Sequence, residues 1–138
     1  MDHSILGIDL GARRIGIAVS DSGVVATPHS VMRNEGDVVE KLAHLATELD
    51  AGLVVVGIPR RTHESANDRK YRDFADALRQ KTCKPVVLWD ESLSTVEAAE
   101  RLRASGRSRR EAQKEIDMHA AAVILQSYLD DQARGRTS

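Results

Sequence analysis

The sequence has few cysteines, few aromatic residues and no long apolar run, and each shortage excludes a class of protein. The single cysteine, Cys83, excludes an internal disulfide framework and fits a reducing compartment. Aromatic residues make up 3% of the chain, which argues against binding nucleic acid mainly by base stacking. No apolar run approaches the roughly 20 residues of a membrane span, and the N-terminus shows no export signal. We therefore expect a cytoplasmic protein without membrane attachment.

The chain also lacks a large excess of charge of either sign. Its net charge of −1 argues against a polycation that coats nucleic acid, although a local basic face can still dock a phosphate backbone. The hydrophobic share of 41% and the charged share of 30% are those of an ordinary soluble globular protein. We expect a single domain over residues 1–138.

The order of predicted elements indicates an α/β fold. Strand patterns occur at 4–10, 15–20 and 24–27, with Pro28 closing the third, and again in LVVVGIP and PVVLW. Helical spacing predicts helices at 37–49 with Asp37 as N-cap, through Phe74 and Leu78, at 94–106 and at about 115–131. A hairpin followed by alternating strands and helices predicts a mixed sheet with helices on its faces.

Acidic residues stand beside apolar core sequence at three places. Asp9 interrupts the first strand, Asp90 and Glu91 end the PVVLW strand, and Asp117 opens an apolar helix face. Carboxylates that gather repel one another and lose hydration, and an oxygen-seeking cation such as Mg²⁺ or Mn²⁺ reverses that cost. Two such ions about 3.5–4 Å apart can activate water and stabilise the leaving oxygen of a phosphodiester.

Each acid also has a simpler explanation. Asp90 could begin a turn, Glu91 could be solvated, and Asp117 could be favoured by the helix dipole. Gly11, just after the first strand, could leave space for a phosphate backbone. Spacing alone leaves these alternatives open, and an arginine paired with one of the acids would argue against a metal site.

Basic residues offer contacts for phosphate groups. Candidates lie in the first turn, in the loop after VVVGIP and before the last helix: Arg13, Arg14, Arg60, Arg61, Arg109 and Arg110. Arg13 and Arg14 rank first, because they are nearest to Asp9 in sequence. The alternative is a solvated face balanced by interspersed acids.

Four sequence blocks together resemble the YqgF family of ribonuclease H-like proteins, described as pre-16S ribosomal RNA nucleases and earlier as Holliday junction resolvases. The blocks are GIDLGARRIGIAVSD, VVVGIP, WDESLSTVEA and IDMHAAAVILQSYL, in the family's order over about residues 4–131. The resemblance implies a ribonuclease H-like mixed sheet with helices on both faces. It also implies a catalytic trio of Asp9, Glu91 and Asp117 that binds Mg²⁺ or Mn²⁺, with Asp90 as an accessory ligand. The implied substrate is pre-ribosomal RNA, cut near the 5′ end of 16S RNA by a monomer or homodimer.

The chain departs from the family's pattern around the acids. Ser92 stands where the family usually has Arg, Met118 stands where it commonly has Ser, and the loop after VVVGIP is RRTHES. No carboxylate is lost, and Arg60 or Arg61 could supply the positive charge of the arginine that Ser92 replaces. His119 as a proton relay and Cys83 as a nucleophile are weaker candidates.

Three other functions compete with an RNA nuclease. One is a resolvase of four-way DNA, and another is a ribosome-assembly module without catalysis. The third is an ATPase of the actin and sugar-kinase type, which GIDLG resembles. Such ATPases clamp nucleotide between two lobes, and this chain has room for only one.

Overall fold

The fold is built on a mixed β-sheet with helices on both faces, as the sequence predicts. The computed structural model describes residues 3–59, 66–91 and 109–137, and the side chains of residues 3–58, 69–89 and 116–134. The strands are β1 (Ser4–Leu10), β2 (Arg14–Ser20), β3 (Thr27–Arg33), β4 (Ala51–Pro59) and β5 (Val86–Glu91). The helices are α1 (Val38–Glu48), α2 (Ala66–Thr82) and α3 (Arg109–Thr137). None of the described helices is long and apolar enough to cross a membrane.

The sheet has the strand order β3-β2-β1-β4-β5, with β1 at its centre. β1 pairs antiparallel with β2 and parallel with β4, while β5 pairs parallel with β4. The parallel strands β1, β4 and β5 therefore end at the same edge of the sheet. Asp9 near the end of β1 and the pair Asp90–Glu91 at the end of β5 are both at that edge.

One face of the sheet carries large apolar side chains against α1 and α2. Leu6 and Ile8 of β1 are fully buried there, together with Leu42 of α1 and Leu78 of α2. Alternate residues of a strand point to opposite faces, so β1 presents Leu6 and Ile8 to this side and its odd-numbered residues to the other. This face contains most of the large buried side chains among the described residues.

The other face is covered by α3, and the central strands present several small residues to it. Ala18, Val55, Ala121 and Leu125 form the centre of this second core. A Cβ atom on Gly7 would lie 2.8 Å from Cβ of Leu125, so the helix approaches the strand backbone closely. The C-terminal half of α3 also contacts β5, where Trp89 Nε1 donates a hydrogen bond of 3.1 Å to Ser127 Oγ. Trp89 also meets Tyr128 edge to face, with the ring centroids 5.3 Å apart.

The predicted boundaries hold for α1 and fail for β3 and α3. Asp37 caps α1 by accepting a hydrogen bond of 3.0 Å from the backbone N–H of Glu40. β3 begins at Thr27, where the prediction ended, because Pro28 is tolerated in an edge strand. α3 begins at Arg109 rather than near residue 115. The predicted helix at 94–106 lies outside the described residues.

Candidate functional site

Asp9 lies in a row of residues that crosses the sheet with a glycine on each side. It is in register with Gly16 of β2 and with Gly57 of β4, and Gly57 is in register with Trp89 of β5. Because its cross-strand neighbours have no side chains, the half-buried Asp9 side chain is not crowded from either strand. This row explains how a central strand accommodates an acid.

Asp117 is held over the same row by its own backbone. A Cβ atom on Gly16 would overlap the backbone carbonyl oxygen of Asp117, so α3 rests directly on β2 at this point. Gly16 is the cross-strand partner of Asp9, and adjacent strands lie about 4.8 Å apart. The Asp117 backbone therefore lies one strand away from Asp9, and the joint role predicted for the two acids stays a prediction.

The helix boundary removes one alternative explanation for Asp117. α3 begins at Arg109, so Asp117 lies beyond the first turn, where the attraction of the helix dipole for an acid acts. Its side chain is 18% exposed, which also distinguishes it from a solvated surface acid. Packing against the sheet, rather than the helix terminus, determines its position.

Arg14 forms an ion pair with Asp117 that the sequence did not reveal. Arg14 Nε donates a hydrogen bond of 2.7 Å to Asp117 Oδ2, and the arginine side chain is 43% exposed. The proposed role of Arg14 as a phosphate contact stays a prediction, because in this structure its guanidinium contacts an acid of the candidate site. An arginine on one of the acids is the observation that counts against a metal site, and any proposal for this site has to account for it.

Asn34 fixes the turn that carries the first two basic candidates. Its side-chain N–H₂ donates a hydrogen bond of 2.8 Å to the carbonyl of Gly11, and its backbone N–H donates one of 2.8 Å to the carbonyl of Arg13. A Cβ atom on Gly11 would lie 2.5 Å from the carbonyl oxygen of Arg14, so the turn itself requires glycine there. The role of Asn34 was not predicted, because a single asparagine after a strand gives no local indication of a distant partner.

Asp90 and Glu91 are placed by strand register alone. They are the last residues of β5, paired with Ile58 and Pro59 of β4. Asp90 is thus a strand residue and not the start of a turn. The roles predicted for both acids stay predictions, since the structure describes only their backbone.

The remaining candidates come from other parts of the chain. Arg60 and Arg61 fall outside the described residues, and Arg109 and Arg110 form the start of α3. Cys83 precedes β5 and so lies at the opposite edge from the acids that end this strand, which argues against it as their nucleophile. His119 is exposed, whereas Asp117 faces the sheet.

The donor chemistry at the row fits a hard divalent cation. Asp9 and Asp117 provide carboxylate oxygens, the ligands that Mg²⁺ and Mn²⁺ prefer. Among the side chains that the structure describes, no three His, Cys, Asp or Glu residues gather closely enough to bind an ion. The Glu91 side chain is not part of that set, so the two aspartates are the described part of the candidate centre.

Comparison with known proteins gives consistent results across nearly the whole chain. A family model described as "RuvX: Holliday junction resolvase" matches residues 3–131. A relative from Anaeromyxobacter sp. (strain Fw109-5), provisionally named pre-16S rRNA nuclease, is 46% identical over 91% of this chain and 95% of its own length. A relative of the same name from Mycolicibacterium paratuberculosis is 47% identical over 91% of this chain and 78% of its own. The resemblance to the YqgF family is confirmed.

Solved structures of resolvases share the fold. Thermus thermophilus RuvC bound to a Holliday junction has a TM-score of 0.55 and 14% identity over 95% of this chain and 96% of its own. The fowlpox virus resolvase bound to junction DNA has a TM-score of 0.59 and 10% identity over 94% of this chain and 98% of its own. These likenesses confirm the ribonuclease H-like fold class.

Proposed function

This chain belongs to the RuvX family, and we propose that it is a divalent-metal-dependent nuclease that hydrolyses phosphodiester bonds in RNA. The observation that carries the proposal is the placement of Asp117 of α3 over the row that contains Asp9. The two acids come from distant parts of the chain to neighbouring strand positions, one of which is a glycine. Arg14 offsets the charge of Asp117 in this structure, and a site for divalent cations would supply counter-charge to both acids.

The strand register supports Glu91 as the third acid. Position 91 lies two strands from Asp9 and two residues further along, roughly 10 Å across the sheet and roughly 7 Å along it. By the two-residue period of a strand, position 91 belongs with Trp89 to the face that α3 covers, and position 90 belongs to the other face. We therefore assign Asp9, Glu91 and Asp117 to the catalytic centre and give Asp90 the lesser, accessory role.

The proposed mechanism assigns separate tasks to the chain's own residues. Asp9, Asp117 and Glu91 would hold Mg²⁺ or Mn²⁺, which supplies an activated water and neutralises charge on the phosphate. β1 fixes Asp9 in the sheet, and the contact with Gly16 fixes Asp117, so the carboxylates are in place before substrate binds. Arg13 and Arg14 in the first turn would contact the phosphate backbone of the RNA. Further phosphate groups along the RNA would be contacted by Arg60, Arg61, Arg109 and Arg110.

The proposed substrate is pre-16S ribosomal RNA, the RNA that the names of the curated relatives give, and its 5′ region is the proposed place of cleavage. A role in bacterial ribosomal RNA processing would place the protein in the cytoplasm. Junction DNA is the alternative, because the family model and the similar structures are described as resolvases. Symmetrical cleavage of a four-way junction needs two centres, so a homodimer would favour that alternative and a monomer would favour RNA.

Replacing Asp9 tests the proposal. We expect Asp9→Asn to lower Mn²⁺-dependent cleavage of a pre-16S RNA fragment at least 100-fold, since a neutral amide is a poor ligand for a hard cation. Thermal unfolding should show that the variant is folded, so that the loss of cleavage reports on the centre itself. Asp73→Asn, an exposed acid on α2, is the matched control and should cleave normally.

Three outcomes of this experiment are decisive. Cleavage that survives in Asp9→Asn would contradict the assignment of the centre. Symmetrical cleavage of a four-way junction, with matched RNA left intact, would favour the resolvase. If the wild-type protein cleaves neither substrate but binds ribosomal RNA, and Asp9→Asn binds it equally well, an assembly module without catalysis would be favoured.

A further inference from the structure

We propose that Arg14 is a resident counter-ion of Asp117, which a divalent cation displaces and which then turns to a substrate phosphate. This inference rests on the proposed metal site. The ion pair between Arg14 and Asp117 is then the metal-free state of the site, and it is compatible with metal binding. Arg14 is then a positioning residue that links occupancy of the metal site to phosphate binding.

The two partners differ in their freedom to move. The Asp117 backbone lies against Gly16 with no room for even a methyl group between them, and its side chain is 18% exposed. Arg14 is the first residue of β2, its long side chain is 43% exposed, and it reaches Asp117 by one hydrogen bond of 2.7 Å through Nε. When a cation competes for the carboxylate, the arginine is the partner that can leave.

Electrostatics on the neighbouring strand favour the departure. Arg14 is in direct cross-strand register with Arg33 of β3, and like charges opposite one another in a sheet repel. Arg33 has a distant acidic partner, Glu35, with 4.0 Å between Nη1 and Oε1. While Asp117 lacks a metal, its charge offsets this repulsion. A bound dication removes that compensation and leaves Arg14 beside positive charge on two sides.

A phosphate group is the partner that this freed guanidinium fits. Arginine binds phosphate in a planar, charge-assisted geometry, and Arg14 adjoins the turn that Asn34 fixes at the same sheet edge. Metal and phosphate would then promote each other's binding, since linkage between two sites is reciprocal. The metal-free protein keeps Asp117 paired, so α3 can dock on β2 before any ion binds.

Mn²⁺ titration by calorimetry, without nucleic acid, tests the exchange in the full chain. We expect Arg14→Gln to bind Mn²⁺ roughly two- to fivefold more tightly than the wild type, the range of a partly exposed ion pair. Arg33→Gln is the matched comparison: it removes the same charge from the neighbouring strand without touching Asp117. Because it also relieves the repulsion that favours the departure of Arg14, its Mn²⁺ affinity should equal that of the wild type or fall slightly below it. Asp117→Asn should lose most of the affinity.

A second measurement follows Arg14 itself in the wild-type protein. In the nuclear magnetic resonance spectrum, the Arg14 Nε–H should exchange slowly with solvent without metal and lose that protection when Mg²⁺ is added. If Arg14→Gln does not fold, this signal alone decides the question. Two results would overturn the exchange, provided that the wild-type protein binds the ion. One is that Arg14→Gln and Arg33→Gln bind Mn²⁺ with the same affinity. The other is that Mg²⁺ leaves the solvent exchange of the Arg14 Nε–H unchanged. A wild type that binds no Mn²⁺, or an Asp117→Asn variant that binds as well as the wild type, refutes the metal site itself.

Discussion

The two faces of the sheet use the same strands for different purposes. Towards α1 and α2 the strands present Leu6, Ile8 and similar large side chains, which are fully buried. Towards α3 they present Gly7, Asp9 and Gly16, so the helix approaches the backbone itself. The first face contains most of the large buried apolar side chains among the described residues. On the second face, glycines let the backbone of α3 approach the strands beside Asp9.

The difference shows how a small domain can separate stability from chemistry. Because adjacent residues of a strand point to opposite faces, Ile8 contributes to the apolar core while its neighbour Asp9 lies in the candidate site. Substitutions on the apolar face should therefore change stability with little effect on the centre, and substitutions on the glycine face should change both.

The largest expected effect on stability is at the apolar face. Leu42 of α1 is fully buried, and Leu42→Ala should lower the free energy of unfolding by about 3 kcal/mol through lost burial and a residual cavity. Denaturant unfolding measures the loss, with Leu45→Ala, a partly buried site on the same helix, as the milder control. Nuclease activity per folded molecule should stay unchanged at low temperature. A folded Leu42→Ala protein without activity would show that the two faces are coupled.

A smaller loss of stability, with a larger loss of function, is expected from a methyl group on the glycine face. Gly16→Ala would meet the Asp117 carbonyl, whereas Gly57→Ala would meet the movable end of the Ile124 side chain, with Cδ1 at 2.5 Å. We expect Gly16→Ala to cost about 2 kcal/mol and to abolish Mn²⁺ binding, and Gly57→Ala to cost about half as much. Equal effects in calorimetry and thermal unfolding would contradict the view that α3 is positioned by backbone contact at Gly16.

The smallest expected effect lies at the exposed contact between α1 and α2. Lys81 Nζ lies 2.7 Å from Glu40 Oε2, and this hydrogen bond and the charge of Glu40 raise the pKa of Lys81 above its usual 10.5. A pKa raised by folding stabilises the native state fully below pH 10.5, and the contribution disappears as the pH rises through the raised value.

Lys81→Met should thus lower the melting temperature slightly at about pH 8, and the difference from the wild type should shrink above pH 10.5. Lys70→Met, at an exposed site of the same helix, controls for the loss of one charge. A difference between Lys81→Met and wild type that is constant with pH would assign the effect to packing instead of charge.

Local signals predicted the fold well, and distant contacts escaped prediction. The hairpin of β1 and β2 and the cap at Asp37 follow from residues adjacent in sequence, so both were predicted correctly. The start of β3 was missed, because Pro28 signals an end unless the strand is known to be at an edge. The acids of the candidate site were predicted from the sequence, and the structure sets the Asp117 backbone on the cross-strand partner of Asp9. The pair Arg14–Asp117 depends on strand register and helix docking, which no local pattern contains.

The distance along the chain between Arg14 and Asp117 bears on when the centre can form. The two residues are separated by 103 positions, and the contact joins the second strand to the last described helix. A chain emerging from a translating ribosome can therefore pair β1 with β2 early and yet lack Asp117 until α3 has been synthesised. If Asp117 belongs to the centre as proposed, nuclease activity would appear only after α3 has been synthesised and has packed on the sheet.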